Sequence, residues 1–197
     1  MTSKKLVFGK GVCSQGQYAA SHDGKLTKTY QTWCNMLSRC YNLNANNINY
    51  LGCYVVDEWL EFQVFAEWLH KQEHHDNPDY QLDKDLLVKG NKAYSPETCV
   101  LLPYALNSLL TDSAGSRGDH PIGVHYSKSK NRYVAQISVN GKRKHIGYYS
   151  DAASASRAYV EAKEKQVKAK ALEYMHKIDI KAFTALMDWC SPKHQSH

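Results

Sequence analysis

The sequence predicts an α+β protein: N-terminal helices with a short strand-loop-strand-helix unit, then a three-stranded antiparallel sheet packed on one helix. Three observations lead there. Segments 30–41 and 57–71 carry apolar residues at helical spacing. Between 80 and 111, two short apolar runs flank a Gly/Asn/Pro-containing loop and lead into a further helical pattern. Residues 122–150 form three alternating runs, the last two joined by Asn140-Gly141, a pair that tolerates the positive φ angles of a tight hairpin.

The first 28 residues, rich in Gly, Ser and Lys without a sustained period, are expected to form a partly ordered arm. In "YQTWCNMLSRCY" the stripe Trp33, Met36, Leu37, Cys40 and Tyr41 predicts a helix, which "NLNANNINYLG" then breaks. Asp57 is a good N-cap for "DEWLEFQVFAEWLHK", whose buried face should be Trp59, Phe62, Phe65, Ala66 and Leu69. "YQLDKDLL" reads as a strand, "VKGNKAYSPE" as a long turn, "TCVLL" as a second strand, and "PYALNSLLT" as a helix with Pro103 in its first turn. This helical and strand-loop-strand-helix region occupies 29–112. A Gly/Ser/Asp linker follows at 113–120.

The strands "IGVHYS", "RYVAQISVN" and "KRKHIGYYS" then precede a helix capped by Ser150 or Asp151, with Ala152, Ala155, Tyr159 and Ala162 on a small-residue face; together they span 121–175. Val134, Ile137 and Val139 break strict alternation, so a bulge is expected near Gln136–Ser138. Within 176–197, Ile180, Phe183, Leu186, Met187 and Cys190 recur at helical spacing.

A chain of 197 residues with 43% hydrophobic content has enough apolar side chain for a core. It contains no run of about 18 apolar residues, and "MTSKKLVFGKGVCSQG" lacks the apolar centre of a secretory signal, so a cytoplasmic protein with no membrane partner is expected. Six scattered cysteines without a C-x-x-C pair argue against a disulfide scaffold. Most should be buried thiols; a zinc site from Cys34, Cys40, Cys53 and Cys99 stays open, although no spacing demands it.

Charge is segregated. Residues 1–112 hold ten Lys and Arg against twelve Asp and Glu, whereas residues 113–197 hold fifteen against seven. The basic half is therefore expected to meet a polyanion, because neutralising phosphates with Lys and Arg supplies most of the affinity for nucleic acid. A helix covers only one face of a three-stranded sheet, so the other should carry Arg132, Gln136 or Ser138, Arg143, His145 and Tyr148 outward. The expected double-stranded DNA-binding set is Arg117, Lys128, Lys130, Arg132, Tyr133, Gln136, Ser138, Lys142, Arg143, Lys144, His145 and Tyr148.

Two resemblances add to this reading. Gly123-Val124, Tyr133-Val134-Ala135-Gln136-Ile137, Gly141-Lys142, Ile146-Gly147-Tyr148-Tyr149 and Ala158-Tyr159 resemble the apetala-two / ethylene-response-factor DNA-binding domain over about 55 residues. That resemblance implies a sheet docked in the major groove; Tyr133 stands where a Trp is usual, and Tyr149 where a Phe is usual, so no base preference carries over. "LDKDLLVKGNKAYSPETCVLLPYALN" looks like the ββα unit of HNH nucleases of phage homing endonucleases. The likeness implies a divalent cation, Mg²⁺ or another, held by Asp83 and Asn107. Lys84, however, stands where the base His belongs, and Thr98 where that motif carries a loop-bracing Asn.

A lysine serves as base near neutrality only if its pKa is lowered by several units. Three readings therefore remain: His74 or His75 supplies the base, Asp85 assists the metal, or the unit does not cut. The functional alternatives are a phage HNH-type endonuclease, a non-catalytic DNA-binding regulator, and an inhibitor gripping an acidic host protein.

Overall fold

The computed structural model describes residues 6–42, 50–111 and 120–191. Arg117, most of the 113–120 linker and most of the Asn-rich break after Tyr41 lie outside them. The chain forms two compact units: residues 1–107 with 177–182, and residues 108–176 with 183–197. The α+β class holds, with an antiparallel three-stranded sheet packed on a helix.

In the first unit a two-residue hairpin, β1 (Ser21–His22) and β2 (Lys25–Leu26), leads into α1 (Lys28–Tyr41). Thr27 caps α1 by accepting a hydrogen bond from the Tyr30 backbone N–H at 3.2 Å, so the helix starts two residues before the expected segment 30–41. Trp33, Met36 and Leu37 are buried as expected, while Cys40 and Tyr41 are half-buried. The expected helix from Asp57 is split: a 3-10 turn at Asp57–Leu60, an extended Glu61, then α2 (Phe62–His70). The cause is distant in sequence. Val12 donates to the Leu60 carbonyl and accepts from the Phe62 N–H, and this short bridge holds Glu61 out of the helix. Trp59, Phe62, Phe65, Ala66 and Leu69 are all buried.

The expected arm is in fact tied down in its described part, 6–28. The Gln63 side chain accepts from the Tyr18 N–H at 3.0 Å and donates to the Ser14 and Tyr18 carbonyls, and Glu61 accepts from the Ser14 hydroxyl at 2.7 Å. Gly11 is required here by close approach, since a Cβ would stand 2.4 Å from Leu37 Cδ1 and 2.8 Å from the Trp33 ring.

β3 (Tyr54–Val55) pairs in parallel with β5 (Ala93–Tyr94), and β4 (Tyr80–Asp83) pairs antiparallel with β6 (Val100–Pro103), which runs into α3 (Tyr104–Leu110). Pro103 thus ends a strand rather than opening the helix. β4 is half the length expected because Asp83 Oδ1 accepts the backbone N–H groups of Asp85 and Leu86, at 3.0 and 2.8 Å, and turns the chain.

The second unit is built on β7 (Val124–Ser127), β8 (Arg132–Val139) and β9 (Lys142–Tyr149) in that spatial order. Asn140 and Gly141 adopt φ of 51° and 75°, as a tight hairpin needs. Asp151 caps α4 (Ala152–Glu173), accepting from the Ser154 N–H at 2.7 Å. Ala155, Tyr159 and Val160 of α4 cover Val124, Ala135 and Ile137 of the sheet. Gly123, at φ 71°, admits no side chain: a Cβ would fall 2.1 Å from the Tyr159 ring.

α5 spans Ile180–Met187, and its expected stripe holds in part, with Leu186 buried and Phe183 and Met187 half-buried. Ile180 is 75% exposed and Cys190 is exposed, whereas Ile178, Ala182 and Leu186, four residues apart, are buried. Of the six free cysteines only Cys53 and Cys99 are buried, which corrects the expectation that most would be. Among the described residues no helix is long and apolar enough to cross a membrane.

Candidate nucleic-acid interface

Directly paired residues of an antiparallel sheet share a face. Tyr133, Ala135, Ile137 and Val139 of β8 point toward α4, with Val124 of β7 and Tyr149 of β9 beside them. The other face therefore carries Arg132, Val134, Gln136 and Ser138, together with their partners in the flanking strands. Those partners are Ser127 opposite Arg132, His125 and Tyr148 opposite Val134, His145 opposite Gln136, and Arg143 opposite Ser138.

One irregularity makes this alignment. The register shifts between Ala135, paired with Gly147, and Gln136, paired with His145, leaving Ile146 unpaired and packed on the α4 side. The bulge thus lies in β9 at Ile146, not in β8 near Gln136–Ser138 as expected. It brings His145 and Tyr148, three residues apart, onto one face with ring centroids 4.5 Å apart. Without it, Tyr148 and Arg143 would face opposite ways.

Arg132, Ser138, Arg143, His145 and Tyr148 are exposed on this open face and Gln136 is half-exposed. Lys128 and Lys130 are exposed in the β7–β8 turn. Three expected contacts fall elsewhere. Tyr133 packs on the helix side, 5.1 Å from the Tyr126 ring, and Lys142 and Lys144 pair with Val139 and Ile137, so their Cβ atoms start toward that same side. Period-two counting from Arg143 and His145 gives this result; a count of basic residues does not. His125 and Val134 belong to the open face and were missed for the converse reason, since neither is cationic. The cross-strand register is the signal that finds them.

Comparison with known proteins finds no matching family model, curated protein or solved structure.

In the first unit, β4 alternates so that buried Tyr80 and Leu82 point one way and Gln81 and Asp83 the other. Asn107 reaches this second face, donating from Nδ2 to Gln81 Oε1 at 2.8 Å. Burial makes the Asp83 carboxyl harder to ionise, opposed by the N–H groups it accepts from Leu86 and Asp85. The histidines are elsewhere. His74 stacks on Tyr80, 4.5 Å away, and lines a cleft of about 360 Å³ with Lys71, Lys177 and Asp179. His75 lies 4.4 Å from the His70 ring and contacts the Gln72 carbonyl through Nδ1 at 3.1 Å. Both are thus engaged away from the Asp83 face.

Lys84 is only 5% exposed, and its ammonium donates to Asp85 and to the Asn91 carbonyl. Burial lowers its pKa, but the hydrogen bond and charge of Asp85 more than offset this, leaving it raised. A base needs the opposite shift. The loop is braced by Asn91, which donates to the Lys84 and Ala93 carbonyls, helped by Thr98 Oγ1 donating to Ala93 O at 2.9 Å. Asn91 thus does the bracing expected of the Thr98 position.

The polar groups at this face are engaged with one another. Asp83 Oδ1 is taken by two backbone donors, Asn107 gives its amide N–H to Gln81, and Asp85 is paired with an ammonium. Among the described residues no group of three or more His, Cys, Asp and Glu is placed to hold a metal ion.

Replacing Lys84 by Met should cost about 2 kcal/mol, the scale of a buried hydrogen bond to a charged group. Because the folded pKa is raised, the difference from wild type should stay constant from pH 6 to 9 and shrink above about 10.4, where the unfolded lysine loses its proton. Denaturant melts across that range measure it.

Proposed function

We propose that this chain is a double-stranded DNA-binding protein whose open β7–β8–β9 face lies in the major groove. The supporting observation is the placement of Arg132, Arg143, His145 and Tyr148 on the face that α4 leaves uncovered. Dimensions agree. Three strands span about 10 Å between outer axes, against a groove about 12 Å wide. Lys128 and Lys130, at the end of the sheet, are placed to meet phosphates, while the arginines and Gln136 are placed to meet base edges.

Under this reading the first unit is a degenerate relative of the HNH-type ββα unit of phage homing endonucleases, with Lys84 a structural cation rather than a base. Fluorescence anisotropy with labelled duplex DNA should show metal-independent binding that weakens linearly in log salt. Incubation of supercoiled DNA with Mg²⁺ or Mn²⁺ should give no nicking above background. If the wild type nicks and Asp83→Ala or Asn107→Ala abolishes nicking with affinity retained, the endonuclease reading replaces this one. Binding that duplex DNA cannot compete away from an acidic protein would instead favour a protein target.

A further inference from the structure

The open face is not uniformly basic. Its cationic ends, Arg132 and Arg143, enclose an apolar and aromatic centre: Val134 sits with His125 and Tyr148 directly opposite on either side, and His145 stacks on Tyr148. Val134 is only 6% exposed although it points away from the helix, while Tyr148 is 53% exposed. Tyr148 is therefore the side chain that offers ring surface at the centre of the face, and burying an aromatic ring against an apolar group is favourable once water is displaced. In the major groove the apolar group offered by the bases is the C5-methyl of thymine, whereas guanine offers O6 and N7 to an arginine fork.

From this arrangement, and resting on the groove-binding reading above, we infer that the centre of the face selects thymine methyl groups. Arg132 and Arg143 then read guanines on either side. Spacing along the sheet sets the pattern. Arg143 is opposite Ser138, six residues along β8 from Arg132, about 20 Å at a strand's rise per residue. If β8 runs along the groove, that is about six base pairs at 3.4 Å each, with the thymines nearer the Arg132 end, because Tyr148 lies opposite Val134, two residues from Arg132 and four from Ser138.

The test uses the full chain. A randomised duplex pool is enriched on the protein, and the enriched duplex is measured by anisotropy beside the same sequence carrying uracil for thymine, a change that removes only the methyl. Affinity should fall about fourfold for each contacted methyl, the scale of one buried methylene-sized group, with an unchanged salt slope. The Tyr148→Ala variant, still folded by circular dichroism, should bind the two duplexes equally. Enriched sequences without thymine, or equal wild-type affinity for both duplexes, overturn this inference while leaving groove binding intact. Absence of any salt-dependent duplex binding overturns the groove reading and this inference with it.

Discussion

Replacing Arg132 and Arg143 together by glutamate should lower duplex affinity by at least about 100-fold. Each arginine is placed to make a forked contact with a base, worth about 1–3 kcal/mol, and reversal adds repulsion from the phosphates. The two sites are about 20 Å apart along the sheet, beyond the range in which substitutions normally couple, so the single-variant losses in free energy should add. Both side chains are exposed, so the thermal transition should stay close to wild type. Anisotropy titration of the singles and the double at one salt concentration measures this. A useful contrast is Lys128→Ala with Lys130→Ala: these should weaken binding to all sequences alike and reduce the log-log salt slope by roughly one per lysine. If the double arginine reversal binds as wild type does, the open face is not the interface.

The parts of this fold that local chemistry dictates were legible in the sequence. Asn140-Gly141 names its hairpin because few other pairs accept positive φ twice, and the Phe62–Leu69 face follows from helical spacing alone. What escaped depends on partners far along the chain. The split at Glu61 is imposed by Val12, and the ordering of residues 6–28 by Gln63, forty-five positions away from Tyr18. Neither contact has a local signature.

The bulge is the instructive case. Val134 looked like an inward residue because it is apolar, which pushed the expected irregularity into β8, yet β8 alternates regularly and the extra residue is Ile146. Hydrophobicity was a poor guide to facing at that one position, because Val134 is buried on the open face, between His125 and Tyr148. Near Asp83 the residue types in the sequence suggested chemistry, while the local contacts that the sequence did not reveal are a turn capped by Asp83 and Lys84 tying Asp85 to the Asn91 carbonyl.

Trp33→Ala should destabilise the first unit by about 4–5 kcal/mol, near the top of the range for a large core aromatic. Trp33 is fully buried, and its indole N–H donates to the Trp59 carbonyl at 2.8 Å, so truncation leaves both a cavity and an unpaired buried acceptor. Its ring also lies 5.5 Å from Phe62 and bounds the space in which Gly11 packs. One side chain therefore joins α1, the 3-10 turn, α2 and the N-terminal segment, and losing it should loosen all four together. Hydrogen exchange should report this as lost protection at Val12 and Phe62, whose N–H groups make the bridge beside it. The sheet that carries the arginines draws its core from α4 instead. Duplex affinity below the first unit's melting temperature should consequently fall far less than in the double arginine reversal. A loss of comparable size would show that residues of the first unit also grip the DNA.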